Sequence, residues 1–180
     1  MPGRRPRPDP FDADTARRLR AIGPYQVASG PGYCEISWGA VGALACDFAA
    51  FNLEWTLGGP GRAGPGPDGR MFEIWERYRA RHQERCAEYR RRLFEWFSAR
   101  PESAYEPWQW RALGRRRPSP ENPEVTGPAT VSLSGYRDGA AAEYALRVCF
   151  VVFWEAHGIV FRLDTEGDEF AVVAWGAGEA

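Results

Sequence analysis

Hydrophobic positions along this chain follow two different periods, and the switches between them mark out its elements. From Arg70 to Ser98, the residues Met71, Trp75, Tyr78, His82, Cys86, Tyr89, Leu93 and Trp96 recur every three or four positions, which lines up one face of an α-helix. Asp68 stands where an N-cap carboxylate belongs, Glu73/Arg77 and Glu88/Arg92 form i,i+4 pairs off the stripe, and Pro101 stops the helix. At the α-helical rise the segment is roughly 40 Å long. A shorter helix is expected after Asp12, with Phe11, Thr15, Leu19 and Ile22 spaced for one face and Gly23-Pro24 as its stop.

Elsewhere the period is two. Cys34, Ile36 and Trp38 alternate with Tyr33, Glu35 and Ser37, and Phe51, Leu53, Trp55 and Leu57 alternate with Asn52, Glu54 and Thr56. Leu44, Cys46 and Phe48 carry the alternation between them until Ala49-Ala50 interrupts it, so three strands are expected here, with a turn over residues 39–42. Beyond the long helix the pattern predicts a meander. Val131 and Leu133 begin it, Gly135 to Gly139 turns it, Glu143 to Trp154 forms a long strand, His157-Gly158 turns again, and Ile159–Leu163 and Phe170–Trp175 follow. Cys149, Val151 and Phe153 are apolar as well as Phe150, Val152 and Trp154, which predicts a strand buried on both sides in its later half.

Strands, then a long helix, then strands again make an α+β fold: a largely antiparallel sheet, N-terminal strands plus C-terminal meander, packed against one long amphipathic helix. Residues 10–178 are expected to form a single domain, with 1–9 a disordered Pro/Arg tail and 58–69 and 101–128 flexible loops. Hydrophobic residues at 44% and aromatics at 14% are ample for one core.

Charge and cysteine usage narrow the setting. All 23 basic residues are Arg, against 24 acids, and with 20 Gly and 15 Pro the codon bias points to a high-GC bacterial genome. A net charge of -1 provides no overall field to attract nucleic acid or an acidic membrane. The N-terminus lacks an apolar signal region, no apolar run is long enough to span a bilayer, and the four cysteines are far apart. Four free, mostly buried thiols in a reducing cytoplasm is the simpler expectation, with two disulfides formally open.

Candidate chemistry is sparse. Gly59-Pro60-Gly61-Arg62-Ala63-Gly64 matches G-x-G-x-x-G between a strand and a helix, yet Pro60, Pro65 and Pro67 remove the N–H donors that cradle a pyrophosphate. His82 and Cys86 lie i,i+4 and can reach one metal ion, or pair as base and thiol, but both fall on the apolar stripe. Asp164, Glu166, Asp168 and Glu169 read as a solvated turn. Arg90-Arg91-Arg92 is neutralised by neighbouring Glu84, Glu88 and Glu95, and Arg115-Arg116-Arg117 has no nucleic-acid reading motif around it. Trp108 and Trp110 beside arginines are residue types enriched at protein interfaces.

The stretch Phe150-Val151-Val152-Phe153-Trp154-Glu155-Ala156-His157-Gly158-Ile159-Val160-Phe161, a strand, then Trp, acid and His-Gly, then a strand, resembles an uncharacterised bacterial domain family associated with polymorphic-toxin immunity proteins. The resemblance covers mainly residues 130–175 and implies a small cytoplasmic α+β domain that binds and neutralises a partner without chemistry of its own. Another protein is therefore the expected partner, with Trp108, Trp110, Arg115, Arg116, Trp154 and His157 as candidate contacts. No cofactor is expected, nor any membrane. The competing readings are a small enzyme or metalloprotein built on His82 and Cys86, and an Arg-mediated nucleic-acid binder.

Overall fold

The structure is a computed structural model that describes residues 10–59, 66–114 and 116–177. Seven strands form one sheet in chain order: β1 (Tyr25–Gly30), β2 (Tyr33–Ala40), β3 (Phe51–Gly58), β4 (Ala129–Asp138), β5 (Ala141–Val152), β6 (Glu155–Leu163) and β7 (Val172–Ala177). Neighbours pair antiparallel except β3 and β4, which run parallel. A parallel neighbour needs a crossover. The chain makes it through α2 (Gly69–Ala99) and α3 (Pro107–Leu113), while α1 (Ala13–Ile22) precedes the sheet. The fold is thus α+β, with a mostly antiparallel sheet and one long helix.

Period two in the strands becomes continuous apolar rows across the sheet. One row runs Trp38, Leu53, Val131, Val148, Phe161, Trp175, and the next runs Ile36, Trp55, Leu133, Leu146, Leu163. α2 lies across these rows. Its Phe72 and Trp75 rings meet Trp55 on β3, Tyr89 meets Phe150 and Phe161 on β5 and β6, and Trp96 meets Trp175 on β7. Asp68 caps the helix, its carboxylate accepting from Met71 N–H at 3.1 Å. Arg70, Arg77 and Arg85, at seven- and eight-residue spacing on α2, donate to the backbone carbonyls of Thr165, Gly167 and Glu169. The acidic turn is therefore an anchored element, and it seats Phe170, fully buried against Tyr78.

Several local expectations are corrected. Leu44 to Phe48 is not a strand: Gly42–Leu44 forms a 3-10 turn, and the first strand of the sheet is Tyr25–Gly30 instead. Gly135 to Asp138 continues β4, and the chain reverses only at Gly139. The β5–β6 hairpin turns at Phe153-Trp154, because fully buried Trp154 docks inward and donates its indole N–H to Pro123 C=O at 3.1 Å. Later β5 is covered on one side alone, with Val151 51% exposed. In the connection read as a loop over 101–128, Pro107 at N1 and Gln109, whose side chain accepts from Glu106 N–H at 2.6 Å, start α3. The G-x-G-x-x-G match, apart from Gly59, lies outside the described residues, as does the tail 1–9.

Candidate functional site

Among the described residues, candidate chemistry gathers under the helix and on the sheet face opposite it. Under the helix, the apolar stripe of α2 carries Tyr78, His82, Cys86 and Tyr89, all buried, with His82 fully so. The turn between β2 and β3 closes over them. His82 Nε2 lies 2.6 Å from Leu44 C=O and Nδ1 lies 3.0 Å from Tyr78 OH, which is itself 3.3 Å from Tyr89 OH.

Elementary bookkeeping fixes the protons. A carbonyl can only accept, so Nε2 carries hydrogen. Burial pushes His82 below the usual histidine range, partly offset by the Leu44 carbonyl, so the ring is neutral and Nδ1 must accept from Tyr78. Tyr89 then donates to Tyr78, and burial raises both phenols, holding them protonated.

Cys86 is bonded to Cys46, 40 residues away, with a Cα–Cα separation of 6.0 Å that suits a disulfide. This corrects the expectation of four free thiols. Cys34, buried, and Cys149, half-buried with its thiol raised by burial and by Glu54, lie outside the disulfide. It also removes the ground on which a reducing compartment was expected.

Cys46, His82 and Cys86 bring their ligand atoms within 4.8 Å of one another, a metal-like convergence. The arrangement as it stands nevertheless offers a metal little, since both ring nitrogens are engaged and both sulfurs are joined. The same engagement leaves His82 no free lone pair to act as a base.

A pH dependence follows from the buried imidazole. A histidine whose folded pKa is depressed contributes stability that is complete above its unfolded value and is lost as pH falls toward the folded one. Urea midpoints should hold near neutrality and fall below about pH 6.5, with a slope of at most about 1.4 kcal/mol per pH unit. In His82→Gln that component of the slope should disappear; an unchanged slope would show that His82 does not titrate in this window.

The second place is the sheet face opposite α2. Its central row runs Gln26, Ser37, Glu54, Ser132, Arg147, Arg162 in register, with Glu35 diagonal to Glu54. Glu54 stands mid-row between two serines, Gln26 ends the row on β1, and two arginines end it on β5 and β6. Burial and the nearby Glu35 raise Glu54 above the usual carboxylate range. Arg147 and Arg162 face each other directly across β5 and β6, both exposed, and among the described residues neither guanidinium has a hydrogen bond or ion pair. Half-buried Cys149 and Val160 and exposed Val151 flank them. Like charges directly opposed on a sheet destabilise it. This pair was missed in the sequence because Arg147 and Arg162 are far apart until the hairpin sets their register.

The residues expected to contact a partner are not gathered in one place by any shared contact. Trp108 on α3 is 50% exposed, Arg116 is exposed, and His157 is exposed on β6. Trp110 packs against Tyr105 and is half-buried. Trp154 is core, since its ring stacks edgewise on Phe97 and its carbonyl accepts from Gln109, so the surface role expected for it is withdrawn. Arg115 lies outside the described residues. Arg90, Arg91 and Arg92 are paired with Asp47, Glu95 and Glu88. No helix among the described residues is long and apolar enough to cross a membrane. No family model, no curated protein and no solved structure matches the chain.

Proposed function

We propose that this chain is a protein-binding domain, of the kind that neutralises a partner by covering its surface, and that it docks through the open face of the sheet. The observation that carries this reading is the opposed Arg147–Arg162 pair beside Cys149, Val151 and Val160. Holding two unneutralised guanidiniums together costs free energy that a partner carboxylate recovers, and the adjacent apolar side chains supply area to desolvate the contact. Trp108 and His157 remain exposed candidates elsewhere on the surface. The resemblance of the β5–β6 hairpin to immunity-associated domains is consistent with such a role. Catalysis is disfavoured because the one cluster of histidine and thiols among the described residues has every ring nitrogen and sulfur engaged. Nucleic-acid binding is disfavoured because the helical arginine run is paired with acids.

The test is affinity capture from the source organism with the wild-type chain and with Arg147→Glu/Arg162→Glu as bait, both checked for the same circular dichroism. A protein retained by the first bait should bind the second at least about tenfold more weakly, a loss of about 1.4 kcal/mol or more. Equal retention by both baits would remove the open face as the docking site.

A further inference from the structure

Four consecutive residues of the turn between β2 and β3 are tied to α2. Leu44 C=O accepts from His82, Ala45 C=O accepts from Gln83 Nε2 at 2.7 Å, Cys46 is bonded to Cys86, and Asp47 pairs with Arg90 at 2.7 Å. The ties are unequal. Leu44 is fully buried, with its side chain in the core, and makes a fixed pivot. Past it, Ala45 and Asp47 are exposed and Cys46 is half-buried, so the amide bond to Gln83 and the ion pair to Arg90 compete with water and contribute little. On its far side the turn is anchored again where Phe48 stacks on Phe150. Among the described residues, the covalent bond is the one strong tie between these anchors.

We propose that Cys46–Cys86 is a redox-operated clasp, in which a dithiol reductant opens the bond, residues 45–47 swing away from α2, and the Cys86 thiol becomes accessible beside His82. A thiolate of the reductant attacks Sγ of Cys46, the more exposed of the two residues, the S–S bond breaks, and its electron pair leaves on Cys86 Sγ, which takes a proton from water. The second thiol of the reductant then attacks its own sulfur in the mixed disulfide and releases Cys46 as a thiol. Two electrons pass, and the reductant ends as a cyclic disulfide. The pivot at Leu44 and the core beneath it are untouched, so the opening stays local. A purely structural cross-link needs no such arrangement of weak exposed ties between two firm anchors.

The experiment uses the full chain and dithiothreitol as the dithiol. Alkylation under denaturing conditions should count two thiols before reduction and four after it, since Cys34 and Cys149 lie outside the disulfide and the chain has four cysteines. In the native reduced protein, amide hydrogen exchange should accelerate at least tenfold at Ala45 and Cys46, whose N–H groups are held by Gly42 C=O and Ala49 C=O, and Cys86 should become alkylatable. Amides of β3 to β6 should keep their protection. Unchanged exchange at Ala45 and Cys46 after reduction would overturn the clasp, and so would loss of protection across the whole sheet. Four thiols before reduction would overturn it as well. Cys46→Ser should show the open pattern without reductant; if that variant does not fold, the reduced native chain still decides the matter.

Discussion

Trp55→Ala should lower unfolding stability by about 3–5 kcal/mol, a large share of the roughly 5–15 kcal/mol that holds an ordinary domain. Trp55 is fully buried at the middle of β3, between Ile36 and Leu133 in register. Its ring makes edge contacts with Trp38 at 5.3 Å, Phe72 at 5.1 Å and Trp75 at 6.5 Å between centroids, so it joins β2, β3 and α2 at one point. Removing it leaves a cavity walled by large rigid rings that collapse poorly. Trp55→Phe should cost much less, because a ring still fills most of the space and because the Trp55 indole N–H is buried without a hydrogen-bond partner among the described residues, so its loss removes a desolvation penalty. Urea unfolding of the two variants beside Trp108→Ala is the check. Trp108 is half exposed, and its truncation should fall within about 0.5 kcal/mol of wild type. Equal losses in Trp55→Ala and Trp108→Ala would contradict this account of the core.

What the sequence disclosed follows the range of the forces involved. The helix over Gly69–Ala99 was legible nearly to the residue, because its stripe, its Asp68 cap and the stop at Pro101 are all local. β3 and the later part of β6, from Ile159 to Leu163, were legible for the same reason. The parallel pairing of β3 with β4 was not, since nothing within either segment states which neighbour it takes. Nor was Cys46–Cys86, because connectivity between distant cysteines is decided by the fold. The stretch from Leu44 to Phe48 misled for an instructive reason. Its alternation is real, but Leu44 and Phe48 reach the core from a turn, and the residue between them faces the helix. At the candidate site, His82 was correctly placed in the interior by its stripe, whereas the open-face pair Arg147–Arg162 needed a register that the His157-Gly158 signal set wrongly.

That signal was not empty, and it leads to the second large effect. Between Phe150↔Ile159 and Val152↔Glu155, strand β5 contributes one residue, Val151, while β6 contributes three, Ala156, His157 and Gly158. The extra length is absorbed as a bulge, and Gly158 takes φ +69, the left-handed region that glycine enters without cost. A Cβ there would meet Phe150 C=O at 2.8 Å and Cys149 Sγ at 3.5 Å. Neither the strand carbonyl nor the packed thiol beneath it can retreat freely. Gly158→Ala therefore adds the intrinsic penalty of a left-handed alanine, about 1–2 kcal/mol, to the displacement of a central strand, for a total loss of about 2–4 kcal/mol. His157→Ala, at an exposed neighbouring position, should stay within about 0.5 kcal/mol. Because the bulge sets the register of Ile159, Phe161 and Arg162 against β5, Gly158→Ala should also weaken partner capture while His157→Ala leaves the register alone. A Gly158→Ala protein with wild-type urea midpoint would mean that the hairpin tolerates a side chain there, and the bulge would lose its claim to position the arginine pair.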